Sequence, residues 1–94
     1  MNKQHRKWYV YIVKCSDESL YTGITTDLTR RINEHNTSRK GAKYTASKRP
    51  VELVAYVEVA SRSEASRLEH KIKQKKKKNK IKYLLSKGGQ LNES

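Results

Sequence analysis

The densest apolar sequence in this chain lies in two short runs, "WYVYIV" at residues 8–13 and "VELVAYVEV" at 51–59. With 94 residues, 34% of them hydrophobic and no Phe, the chain can build only a small core, and these runs must carry it. Both are rich in β-branched and aromatic residues, so both read as strands. In the first, Trp8, Val10 and Ile12 share one face, and Tyr9, Tyr11 and Val13 share the other. The second, Val51 to Val59, is expected to be the most buried.

The remaining segments follow from punctuation. "SDES" is turn chemistry, and "LYTGI" is a second, shorter strand. Asp27 is a candidate N-cap for a helix "LTRRINEH". Residues 37–50 read as a basic loop ending at Pro50. Ser61 and Glu64 form a capping-box pattern that opens a helix from Arg62 to about Gln74. A last helix is expected at roughly 79–86, closed by Gly88 and Gly89, with "QLNES" frayed. The order β-β-α-β-α-α predicts an α+β fold, a small, largely antiparallel three-stranded sheet flanked by helices. One domain over 1–94 is expected, with its core at about 7–86 and flexible ends at 1–6 and 88–94.

Charge narrows the partner. The 22 Lys and Arg outnumber nine Asp and Glu, for a net +13. Nucleic acid is the natural partner, with an anionic membrane surface as the competitor. "KIKQKKKKNKIK" puts eight Lys between 71 and 82. At helical spacing they wrap all round, and Lys76 would land on the apolar stripe, so a break is expected near 75–79. Such a run is a diffuse phosphate-backbone patch or simply a solvated face. Lys43, Lys48 and Arg49, with Arg39 and Lys40, add a second basic segment, and Lys73 and Lys76 belong to the first. No strong apolar face accompanies the charge, which disfavours a membrane. Cys15 is the only cysteine, so neither an internal disulfide nor a zinc cluster is available. With no signal-peptide pattern and no apolar run long enough to span a bilayer, a cytoplasmic monomer is expected.

Helical geometry places the polar residues. With Leu28 as origin, Ile32 and His35 fall beside it, Arg31 borders the stripe and Arg30 faces solvent. Arg31 then either snorkels over the core or reaches the sheet, and His35 is a boundary histidine. In the later helix Ala65, Leu68 and Ile72 form a stripe with Glu69 on its edge. Its partner is either Lys73 at i+4 or a divalent metal ion. Tyr11 and Tyr21 share a face only if the hairpin loop has odd length or a bulge intervenes. Taken singly, the tyrosines read as core aromatics with hydroxyls at the rim.

Together these residues resemble a known family. Tyr9-Val10-Tyr11, Tyr21-Thr22-Gly23 ten positions on, Arg31 eight past the glycine, and Glu69 opening "EHKIK" resemble the GIY-YIG nuclease domain. "GAKYTASKRPVELV" resembles its small single-domain bacterial members, relatives of a nuclease that cuts branched DNA. The resemblance implies metal-dependent hydrolysis of phosphodiesters, with DNA favoured over RNA and no organic cofactor. It assigns Tyr11, Tyr21, Arg31, Glu69 and His35 to catalysis, Glu69 to Mg²⁺ (or Mn²⁺), and Tyr9 and Gly23 to the motif framework. Tyr9 and Thr22 stand where the motifs have Gly and Ile. Asn79 and Asn92 are candidates for a C-terminal polar residue used by some members. A field of Lys, Arg and metal is expected to lower the phenol pKa of Tyr11 and make it a base.

Overall fold

The computed structural model describes residues 7–37 and 41–93. Its elements are β1 (Trp8–Lys14), β2 (Leu20–Thr25), α1 (Leu28–Thr37), α2 (Lys43–Ala46), β3 (Glu52–Val59), α3 (Arg62–Lys73), α4 (Lys77–Ser86) and β4 (Gln90–Leu91). The fold is α+β, as the sequence predicts. The sheet differs: it has four strands in the order β2-β1-β3-β4, all antiparallel. The fourth lies in the stretch expected to fray. Ala55 and Tyr56 pair with Leu91 and Gln90, and Asn92 donates to Val54 O at 3.0 Å and, through Nδ2, to Leu53 O at 3.2 Å.

The most buried strand is β1, not the 51–59 run. It lies between β2 and β3 and is covered on both faces, so Val10, Tyr11, Ile12 and Val13 are all buried. Alternation divides its side chains as expected. Val10 and Ile12 pack with Ala65, Ile72 and Leu84 of α3 and α4. Tyr11 and Val13 pack with Tyr21, Leu28 and Ile32 on the α1 side.

The local signals work where their partners are near in sequence. Asp27 Oδ1 accepts from Arg30 N–H at 3.0 Å, capping α1. Ser61 Oγ accepts from Glu64 N–H at 3.2 Å, capping α3. The lysine run breaks between α3 and α4, at Gln74–Lys76, and Lys76 is the exposed N-cap residue of α4 rather than a stripe residue. Two tethers are not visible from sequence. The Asn36 amide pairs with both backbone groups of Val51, at 3.0 and 2.7 Å, fixing α1 to the start of β3. Lys80 Nζ donates to Ile72 O and Lys73 O at 3.1 and 3.2 Å, satisfying carbonyls at the end of α3. Lys40 and residues 1–6 lie outside the described residues.

Candidate active site

The hairpin resolves the parity question. Lys14 pairs with Leu20, leaving an odd-length loop from Cys15 to Ser19. Tyr11 is thus opposite Gly23 and Val13 opposite Tyr21, so Tyr11 and Tyr21 are diagonal neighbours on one face. The Tyr11 ring lies across Gly23: a Cβ there would come 2.6 Å from its Cζ. Position 23 is therefore bare to admit a side chain from the neighbouring strand.

Tyr11 is 1% exposed, and His35 is fully buried rather than at a boundary. The Tyr11 hydroxyl meets His35 Nε2 at 2.8 Å, and His35 Nδ1 meets Thr45 Oγ1 at 2.8 Å. Thr45 donates on to Ala42 O at 3.0 Å. Ala42 N–H also points at Nδ1, at 3.4 Å, so Nδ1 is shared between the Thr45 hydroxyl and that amide. The Tyr21 ring packs edge-on against His35 at 5.4 Å and stacks with Tyr44 at 5.7 Å.

Charged groups converge on the same hydroxyl. Burial pushes Tyr11 up to about 12; Arg31, beside it, pulls the other way, and the charge of Glu69 adds to the rise. The expectation of a lowered phenol is thus overturned: desolvation outweighs the cations. Burial, with the charge of Arg31, holds His35 down to about 4, so it is neutral at pH 7. Arg31 loses hydration, yet its contacts with Glu34 (Nη1–Oε1 3.0 Å) and Tyr11 hold its pKa above the ordinary value.

Glu69, on α3, keeps the partner that helix spacing offers, Lys73 Nζ at 3.2 Å. Lys73 also lies 5.6 Å from the centre of the Tyr21 ring. Hence Tyr11, Tyr21, Arg31, His35 and Glu69 are brought into one neighbourhood, with Lys73 at its edge. Lys48 stands nearby, 4.1 Å from the Tyr44 ring and 3.3 Å from Asp17. Lys43 is exposed on α2. Arg49 is drawn into structure, its Nε donating to His35 O. Tyr9 is half-buried in β1, opposite Thr25. Asn79 and Asn92 do not join the site. Asn79 lines a groove with Lys75 and Tyr83, and Asn92 extends the β3 edge. Sequence reasoning missed Thr45, Tyr44 and Glu34. The placement of Thr45 and Tyr44 depends on how the 41–49 segment folds back on α1, which no periodicity encodes, whereas Glu34 stands at i+3 from Arg31 on α1, a spacing that helix geometry offers.

The chain from residue 7 to 82 matches the model of the GIY-YIG catalytic domain. The chain belongs to the GIY-YIG family. This is a nuclease family, whose substrate is nucleic acid and whose members generally use divalent metal ions. Among similar proteins, the UPF0213 protein of Desulfotalea psychrophila is 61% identical over 71% of this chain, which spans 61% of that relative's length. The UPF0213 protein of Staphylococcus haemolyticus is 53% identical over 83% of this chain and 94% of its own. Two solution NMR structures share the GIY-YIG fold seen here. The UPF0213 protein of Bacillus halodurans has TM-score 0.53 and 45% identity, covering 87% of this chain and 86% of that one. A protein of E. faecalis has TM-score 0.60 and 37% identity, covering 93% and 90%.

The donor set of this GIY-YIG site limits the metal. Among the described residues no three His, Cys, Asp or Glu cluster to hold an ion. That does not suit a zinc site, which takes three or four protein ligands. It suits Mg²⁺, which keeps its waters and needs only a carboxylate or two plus substrate phosphate oxygens. The carboxylates of this neighbourhood are Glu69, paired with Lys73, and Glu34, paired with Arg31.

Proposed function

We propose that the protein is a Mg²⁺-dependent endonuclease that hydrolyses phosphodiester bonds of DNA, with branched or flapped DNA as the substrate class. The observation that carries this reading is the meeting of His35 and Arg31 at the Tyr11 hydroxyl, with the charge of Glu69 within electrostatic reach of it. A module that only bound DNA would need Glu69 for no more than its ion pair with Lys73.

Glu69 would hold the ion, which supplies Lewis-acid charge relief at the leaving oxygen. Arg31 forks onto non-bridging phosphate oxygens. Tyr11 accepts the proton of the attacking water and passes its own to His35 Nε2 along the 2.8 Å contact. Resting Tyr11 is protonated and resting His35 neutral, and the relay uses the tautomer whose Nε2 is bare. His35 is a weak base while Arg31 is unneutralised; an anionic phosphate on Arg31 removes part of that hindrance. Thr45 Oγ1, 2.8 Å from Nδ1, holds the imidazole ring in its orientation.

The deciding assay uses linear, flapped and four-way DNA, with Mg²⁺ and with EDTA. Cutting is expected only with Mg²⁺. Glu69→Gln is expected to abolish cutting while keeping DNA affinity, and Tyr11→Phe to slow it about 10²–10⁴-fold. A wild type that cuts none of these DNAs in Mg²⁺ or Mn²⁺ removes the catalytic reading. The second reading, a nucleic-acid-binding module, would then stand, favoured by the Glu69–Lys73 ion pair and the raised Tyr11 pKa.

A further inference from the structure

Helix α3 presents different chemistry on its two flanks. Its core stripe holds Ala65 and Ile72, both fully buried. Glu69 and Lys73 lie on the flank toward Tyr21. Residues 67, 71 and 75 lie on the opposite flank, and Lys71 is about 160° around the helix from Glu69 at ~100° per residue. That flank faces α4 across a groove lined by Arg67, Leu68, Lys71, Tyr83 and Lys87. A continuation of it is lined by Lys75, Asn79, Lys82 and Tyr83.

These cations are organised around one aromatic ring. Lys75 Nζ lies 4.4 Å and Lys87 Nζ 5.3 Å from the centre of Tyr83, though one is in the α3–α4 turn and the other at the end of α4. None of Lys71, Lys75, Lys82 and Lys87 is in an ion pair with a described residue. The one carboxylate lining the groove, Glu64, accepts from Ala60 N–H at 3.3 Å. Among the described residues the exposed large hydrophobics, Tyr44 and Leu91, lie elsewhere, and the groove's own Leu68 and Tyr83 are partly buried against the core, so the patch lacks the exposed apolar face that membrane binding needs.

We propose that the groove between α3 and α4 is a second DNA-backbone surface, holding an arm of the substrate other than the arm at Tyr11. The inference rests on the nucleic-acid part of the proposed function and not on catalysis. A straight duplex seated at Glu69 meets one flank of α3. The opposite flank, on a helix about 10–12 Å across, is reached by a second segment that diverges from it. Branched DNA supplies such a segment, and linear DNA of one duplex length does not.

The test is affinity by fluorescence anisotropy in EDTA, for a four-way junction and for a linear duplex matching two of its arms. Wild type is compared with Lys71→Gln/Lys75→Gln/Lys87→Gln. The triple variant should bind the junction at least about tenfold more weakly, with a salt slope shallower by roughly 2 to 3, since each lost phosphate contact removes about 0.9. Its linear-duplex affinity should stay within about twofold. The matching triple Lys→Arg variant should bind like wild type, which separates lost charge from lost folding. Unchanged junction affinity and slope would overturn the proposal. So would equal losses on junction and duplex, which mark the cations as general charge. Lost binding to phosphatidylserine vesicles with DNA binding intact would make the partner a membrane surface. Because no cutting is measured, an inactive wild type leaves this result readable.

Discussion

The absence of a side chain at position 23 fixes where the Tyr11 hydroxyl can sit. Gly23→Ala would place a carbon 2.6 Å from Cζ of a ring that is 1% exposed and has no space to retreat into. The expected outcome is a stability loss of about 1–3 kcal/mol in urea melts, with a fall in single-turnover cutting at least as large as that of Tyr11→Phe. Wild-type cutting by the alanine variant would show that the ring position is not critical. His35 gives a pH signature. Its folded pKa, about 4, lies below the unfolded value of about 6.5, so the fold favours the neutral ring. This contribution is present in full above about pH 6.5 and is lost as pH falls from there toward 4. It amounts to roughly 3 kcal/mol at most. Urea midpoints should therefore drop between pH 7 and 5 in wild type and less steeply in His35→Gln; parallel slopes would remove the assignment. At this scale the sequence carries identities better than environments. The motif marks Tyr11, Tyr21, Arg31 and Glu69, but a helical wheel sees only α1 and leaves His35 at a boundary. Its burial comes from Thr45 and from the segment whose Arg49 binds the His35 carbonyl.

Helix α3 ends inside the lysine run, and Lys80 holds that end. Its ammonium satisfies two carbonyls of the last turn, although burial and the nearby Lys73 charge both depress its pKa. Lys80→Ala should cost about 1–2 kcal/mol by urea denaturation, and Lys80→Arg much less. An alanine variant as stable as wild type would mean that water serves those carbonyls equally well. The elements themselves were largely legible: strands from alternation, α1 and α3 from Asp27 and Ser61, and a break in the lysine run, expected near 75–79 and found at Gln74–Lys76, from lysines occupying every side of a would-be helix. Three features were not. α2 is a single turn, Lys43–Ala46, inside the stretch read as a loop and too short to show a helical period. β4 is only Gln90–Leu91, too short to show a period, and it forms because Gly89 and Asn92 bond to Leu84 O and Val54 O. The rank of strand burial also misled. A run rich in Val argues for burial, but strand order decides it, and β1 lies between two partners.

A chain of net charge +13 must divide its cations between the fold and its partner. Arg31, Arg49, Lys48 and Lys80 are engaged with Glu34, His35 O, Asp17 and the end of α3. Most of the run from 71 to 87 points outward, which is the arrangement expected of a protein whose charge is neutralised on binding. Composition announces such a partner but not where the cations stand, because the two flanks of α3 separate only once the core stripe has been seated on the sheet. The other face of the sheet has a practical consequence of its own. The single thiol of the molecule, Cys15, follows β1 and is only 2% exposed, packed with Tyr11, Val13 and Val51. A maleimide should therefore leave the native protein untouched and react only when the end of β1 opens. Its reaction rate becomes a clock for that opening, and a cysteine introduced at Lys87 would carry a dye to the α3–α4 groove with the native thiol left in place.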